Sequence, residues 1–235
     1  MKKSTSVLIA LIMYGTLCMA GIDMANAGGD FPNEKAARDY AKQQAEEQYL
    51  QVTGMKATSA NVIHSLKVEN ECGKKNSEVS AALDVVILYS DVYTAIFDVL
   101  VACYEQNKSE RIRYRCVIAL ASYDEVKAKK LANAMLADDE TSLSWKLLVT
   151  RWLVRRGCLS GYPNVKKGLA STRMTSRRIA VALIDYFEQY DGQVYGEGDK
   201  RVNVQELKYI ASQQNDAEKS DDVRVIIRHS EGQEE

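Results

Sequence analysis

Cysteine and histidine are the residue types here best suited to chemistry, and the chain has five of the first and two of the second. Cys18 falls in an apolar leader, which leaves Cys72, Cys103, Cys116 and Cys158. No two of these are close enough for the paired-cysteine spacing of a zinc site, and only His64 and His229 could assist. An even set of four allows three disulfide pairings, and four core-facing thiols is the competing reading. His64 and His229 read as incidental polar residues, because no Ser–His–Asp or Cys–His arrangement assembles around them. The acids Asp138, Asp139 and Glu140 sit in an inter-helix turn, where helix capping accounts for them better than acid–base work. The loop Gly192–Arg201 lies among the acids Asp191, Glu197 and Asp199 but lacks the alternating oxygen donors and final Glu of a calcium loop. The expectation is therefore no metal, no cofactor and no enzyme, with that loop the only candidate place for a catalytic site.

The N-terminus supplies an address. Lys2 and Lys3 precede an uncharged apolar run from Val7 to Met19, and Ala25-Asn26-Ala27 offers small residues where a signal peptidase reads them. Cleavage is expected after Ala27, with a competing site after Ala20. Leu17 stands where a lipoprotein would have a small residue before Cys18, and the run is short for a membrane span. No other segment could cross a bilayer. The mature chain is expected to be periplasmic or secreted, a compartment that permits disulfides.

Charge is sorted along the chain. The net charge of −1 over 235 residues conceals 12 acids and 7 bases in 28–107, 6 and 16 in 108–178, and 13 and 6 in 179–235. An evenly mixed surface is the default, so this banding points to a basic middle that meets something acidic.

The elements that position these residues read as helices. Only 2 Pro interrupt 235 residues, and Ala, Leu, Lys, Glu and Gln are abundant. A helix is expected from Asn33 to Val52, announced by Pro32 and ended by Gly54. Thr58–Glu69 fits a short helix better than a strand. Next come a buried helix from Ser77 to Ser90, an amphipathic one from Asp91 to Asn107 with Asp91 as cap, and a pair over Ser109–Ala121 and Asp124–Ala137. Leu143–Arg156, Asn164–Arg173, Ser176–Tyr190 and Asn203–Gln213 complete the set. On Leu143–Arg156, Trp145 and Trp152 share an apolar face and read as core. Residues 214–235 read as a mobile acidic tail, in which Val223–Arg228 could dock.

Val79, Ile112, Leu143 and Ser176 align the first helices of successive pairs at intervals of about 31–33 residues. In the clearest copy Ile112-Arg113 is followed by Cys116, Ala119 and Leu120. The others keep Val79, Leu83, Val86 and Ile87, then Leu143, Leu147 and Thr150, then Arg177, Ala180 and Leu183. This resembles the HEAT repeat in its short bacterial form, over roughly half the chain, although Arg151 and Trp152 depart from the pattern. The resemblance implies an all-α solenoid of about four antiparallel helix pairs, with an N-terminal capping helix and a flexible acidic tail. The corresponding divisions are a signal peptide (1–27), a helical cap (28–76), the repeat array (77–191), a loop and terminal helix (192–213) and the tail (214–235). It also implies that Arg113 and Arg177 are structural, reaching acids of a neighbouring turn.

The same geometry brings Cys103 within reach of either Cys72 or Cys116, and Cys72–Cys103 would staple the cap to the array. Second helices usually line the concave face of such arrays. Here they carry Lys127, Lys129, Lys130, Lys166, Lys167 and Arg173, a basic strip for an acidic protein partner. Neutralisation by the acidic tail and contact with an anionic envelope component are the alternatives. Nucleic acid is not expected, since aromatic interleaving is absent and exported proteins seldom meet it. A fold does not fix an activity. The function expected is an exported scaffold or adaptor, with an inhibitor or immunity-type protein that blocks a specific enzyme as the second reading.

Overall fold

A computed structural model describes residues 34–67, 74–91, 93, 95–196 and 198–217. The signal peptide, Pro32, Asn33, Cys72, Glu197, His229 and the tail with its Val223–Arg228 segment lie outside the described residues. Among the described residues the chain is all-helical, and its one β feature is an isolated bridge between Val194 and Arg201. The helices are α1 (Glu34–Thr53), α2 (Ser59–Lys67), α3 (Lys74–Leu88), α4 (Phe97–Gln106), α5 (Glu110–Leu120), α6 (Glu125–Ala137), α7 (Leu143–Val154), α8 (Tyr162–Leu169), α9 (Met174–Glu188) and α10 (Val204–Ala217). They divide into two compact units, one ending at Glu125 and the other beginning at Val126.

In the first unit α1 buries a stripe one residue wide. Ala41, Ala45 and Tyr49 recur every fourth residue and are fully buried, and α1 packs on α3. The Tyr49 hydroxyl meets Ser65 Oγ at 2.8 Å, which ties α1 to α2 without leaving a buried polar atom unpaired. Gly54 ends α1 with φ +72°, a left-handed conformation that glycine adopts at no steric cost. Helix α3 is apolar almost all round, with Val79, Ala81, Ala82, Leu83, Val85 and Val86 buried. The next helix starts at Phe97, not at Asp91 as the sequence suggested. Tyr93 is buried and donates its hydroxyl to the Ala57 carbonyl at 3.1 Å, which holds the connection against α2 rather than in a helix.

Between α3 and α5 lies a buried ion pair, Asp84 with Arg115. Arg115 also donates to the Ser80 carbonyl at 3.2 Å and to its hydroxyl. Burial pushes the Asp84 carboxyl up to about 7 against the pull of Arg115, and burial also lowers Arg115. Beside it, Cys103 of α4 and Cys116 of α5 are both buried free thiols. The Cys103–Cys116 pairing, the second of the two the sequence offered, is therefore not formed, and the favoured Cys72–Cys103 pairing involves a residue outside the described ones. Burial pushes the Cys116 thiol well up, while the neighbouring Cys116 thiol lowers Cys103.

In the second unit α7, α8, α9 and α10 share one core that includes Leu147, Val154, Tyr162, Leu183 and Phe187. Each large side chain buried this fully contributes roughly 1.5–3 kcal/mol. Close approach depends on two glycines. A Cβ at Gly168 would stand 2.7 Å from Ala180 Cβ, and one at Gly161 would stand 2.2 Å from Thr150 Oγ1. Helix α8 is displaced from the expected Asn164–Arg173. Pro163 occupies its first turn, and Arg173 is extended, with its N–H on Ser171 Oγ at 3.1 Å. The loop after α9 returns to the core. Asp191 accepts from the Val204 N–H at 2.8 Å, and Asn203 Oδ1 caps α10 by accepting from the Glu206 N–H at 2.9 Å. The Tyr162 hydroxyl donates to the Asn203 carbonyl at 2.9 Å and accepts from the Asn203 N–H at 3.0 Å.

Candidate partner-binding surface

The six cations expected to form a strip all fall in the second unit or at its edge, on α6, on α8 and in the turn that follows α8. They do not share one environment. Lys130, Lys167 and Arg173 are exposed. Lys127 and Lys129 are half-buried, and Lys129 Nζ donates to the Arg156 carbonyl at 3.2 Å. Lys166 is engaged internally. Its Nζ lies 2.5 Å from Glu206 Oε2 and 5.3 Å from the centre of the Tyr162 ring. Burial opposes its charge, yet the Glu206 carboxylate and the Tyr162 phenol raise it above the ordinary lysine range. Helix α10 thus neutralises one member of the strip, a role that sequence reasoning assigned to the tail beyond it.

A second cationic group lies on α7 and α9, where no contact was anticipated. Arg151 in the last turn of α7 and Arg155, the residue that caps its C-terminus, converge on Tyr186 of α9. Arg155 Nη2 donates to the Tyr186 hydroxyl at 2.6 Å and Arg151 Nη2 at 3.4 Å. Their guanidinium carbons lie 4.9 and 5.7 Å from the ring centre. Burial alone would raise the phenol, but the two arginines hold it below the ordinary tyrosine range. Arg155 is exposed, whereas Arg151 is half-buried with its Nε shielded from solvent and without a hydrogen-bond partner. Among the described residues no carboxylate pairs with either guanidinium. The sequence signal was Arg151 itself, which broke the repeat pattern.

The remaining candidates carry structure. Arg113 donates to the Tyr104 hydroxyl at 3.3 Å, and Arg177 donates to the Ser171 carbonyl, contacts that hold each side chain against its own neighbourhood. Arg115, two residues beyond Arg113, pairs with Asp84. Trp152 is buried and Trp145 half-buried on α7, while His64 is exposed. Cys158 is a half-exposed free thiol, 3.3 Å from Ser160 Oγ. Among the described residues no group of three or more His, Cys, Asp or Glu side chains is placed to hold a metal ion. No helix there is long and apolar enough to cross a membrane.

No known protein family, no curated protein and no solved structure matches the chain.

Proposed function

We propose that this chain is an exported, non-enzymatic interaction module that holds an acidic protein partner on the basic second helices of its C-terminal unit. One observation carries the reading: Lys130, Lys167 and Arg173 stand exposed, and no carboxylate pairs with them among the described residues. In a chain whose neighbouring segments are acidic, three exposed cations that meet no carboxylate among the described residues are placed to meet an external one.

The scaffold we infer is a stack of HEAT-like helix pairs within each unit. Contacts between α3 and α5 join residues 31 and 35 apart, the contact between α7 and α9 joins Ser144 to Ser176, 32 apart, and Lys166 meets Glu206 at 40. Such separations are those of one helix-pair repeat meeting the next, which supports the repeat reading independently of the residue pattern.

The test is recovery of a partner from periplasmic extract or culture medium by the wild-type chain and by Lys130→Glu/Lys167→Glu/Arg173→Glu. Lys166 is left intact, so that its pair with Glu206 is undisturbed. The triple variant is expected to fold and to lose the partner. Full recovery by a folded triple variant would overturn the proposal. Export is checked on the same material by N-terminal sequencing, which should begin at Gly28.

A further inference from the structure

We propose that Arg151, Arg155 and Tyr186 form a separate carboxylate-recognition site on the first helices α7 and α9, occupied by an acidic side chain of a protein partner. The class of occupant rests on the reading of an acidic partner given above; the donor geometry does not.

The donors converge and are incompletely used. Each guanidinium spends one Nη on a single phenol oxygen. A guanidinium presents five N–H donors in a planar fork, so most of the donor capacity of this pair is unspent. Two like charges one turn apart at a helix end repel, and a carboxylate bridging them would relieve that repulsion. The Tyr186 ring sets the spacing. It lies beneath both cations, and its hydroxyl accepts from them while keeping its own proton to donate outward. Arg and Tyr are also the residue types that concentrate binding energy at interfaces. A planar fork suits the planar carboxylate, and an acidic peptide brings several carboxylates in sequence. The lysines of α6 and α8 are compact point charges without this fork.

The experiment titrates the full chain with a hexaglutamate peptide and, separately, with inorganic phosphate, reading affinity calorimetrically and the Tyr186 ring by NMR. Peptide binding is expected to shift the Tyr186 resonances. Arg151→Gln/Arg155→Gln should weaken binding by about 10- to 100-fold, as expected for loss of charge-assisted hydrogen bonds. Arg155→Lys keeps the charge and loses the fork, so weakening of roughly 10-fold distinguishes geometry from charge and covers a misfolded double variant. Lys130→Gln/Lys167→Gln/Arg173→Gln should leave the Tyr186 response in place. The proposal is overturned if the Arg variants bind like wild type, or if phosphate alone moves Tyr186. It is also overturned if the lysine variant abolishes the response, which would leave the basic-strip reading standing. Loss of the extract partner through the lysine variant, with no effect of the Arg variant, likewise separates the two.

Discussion

The two units join α3 to α5 and α7 to α9 by opposite means. In the N-terminal unit, α3 and α5 are held by a charge pair taken out of water, Asp84 with Arg115, at 1 and 3% exposure. In the C-terminal unit, α7 and α9 use a hydroxyl pair, Ser144 with Ser176 at 3.0 Å, while glycine lets α8 lie close against both. The contrast teaches that similar separations along the chain, 31 and 32 residues, do not demand a similar chemistry. A buried ion pair gives direction and register but depends on both partners. Close apolar packing tolerates no added volume but carries no charge to strand.

The largest effect is expected where that dependence is greatest. Arg115→Met removes one partner and leaves Asp84 buried, which should cost about 3–5 kcal/mol in urea unfolding at pH 8. The deficit should shrink toward pH 5. Burial already pushes Asp84 up to about 7, and losing Arg115 pushes it further. A carboxyl raised above its unfolded value contributes stability that is full below about 4 and is lost as pH rises through the folded pKa. A deficit that grew on acidification would contradict this account. Adding Asp84→Leu to Arg115→Met should recover most of the loss, since an apolar pair strands no charge.

Next comes Gly168→Ala in the other unit. The new methyl would stand 2.7 Å from Ala180 Cβ and 2.9 Å from Leu147 Cδ1, so unfolding should register a loss of about 1–3 kcal/mol. This loss should not depend on pH between 5 and 8. The smallest effect is the hydroxyl pair. A double-mutant cycle of Ser144→Ala and Ser176→Ala should return a coupling of about 0.5–1.5 kcal/mol. A coupling near zero would leave packing and the arginine bonds to Tyr186 to join α7 to α9.

These joints show what was legible in the sequence and what was not. Periodicity placed every described helix, because an apolar stripe on a helical repeat survives changes of individual residue. Helix starts were less legible. The helix expected from Asp91 begins at Phe97, since a tertiary contact, Tyr93 to the Ala57 carbonyl, overrides a local capping signal. The ion pair was half visible: Asp84 is the lone acid in an otherwise apolar run, 31 residues from Arg115. The repeat pattern drew attention to Arg113 instead, two positions from the residue that is buried. The lysines of the strip were readable as a cluster, but the commitment of Lys166 to Glu206 was not, because that pairing spans 40 residues. Arg151 and Arg155 meet Tyr186 across 35 and 31 residues, and only the path of α9 past α7 brings them together.

The docking of α10 also limits how this chain could be lengthened. Val204, Leu207 and Ala211 are buried in the core shared with α8 and α9, while the opposite side offers Gln205, Tyr209 and Gln213 to solvent. A helix pair duplicated after α10 and laid on that side would meet Gln205 and Gln213, with Tyr209 the one apolar side chain of the three. The same duplication inserted ahead of Asp191 would inherit the contacts that α10 now receives. A helix inserted ahead of α10 therefore has apolar surface to pack on that the outward side of α10 offers far less of.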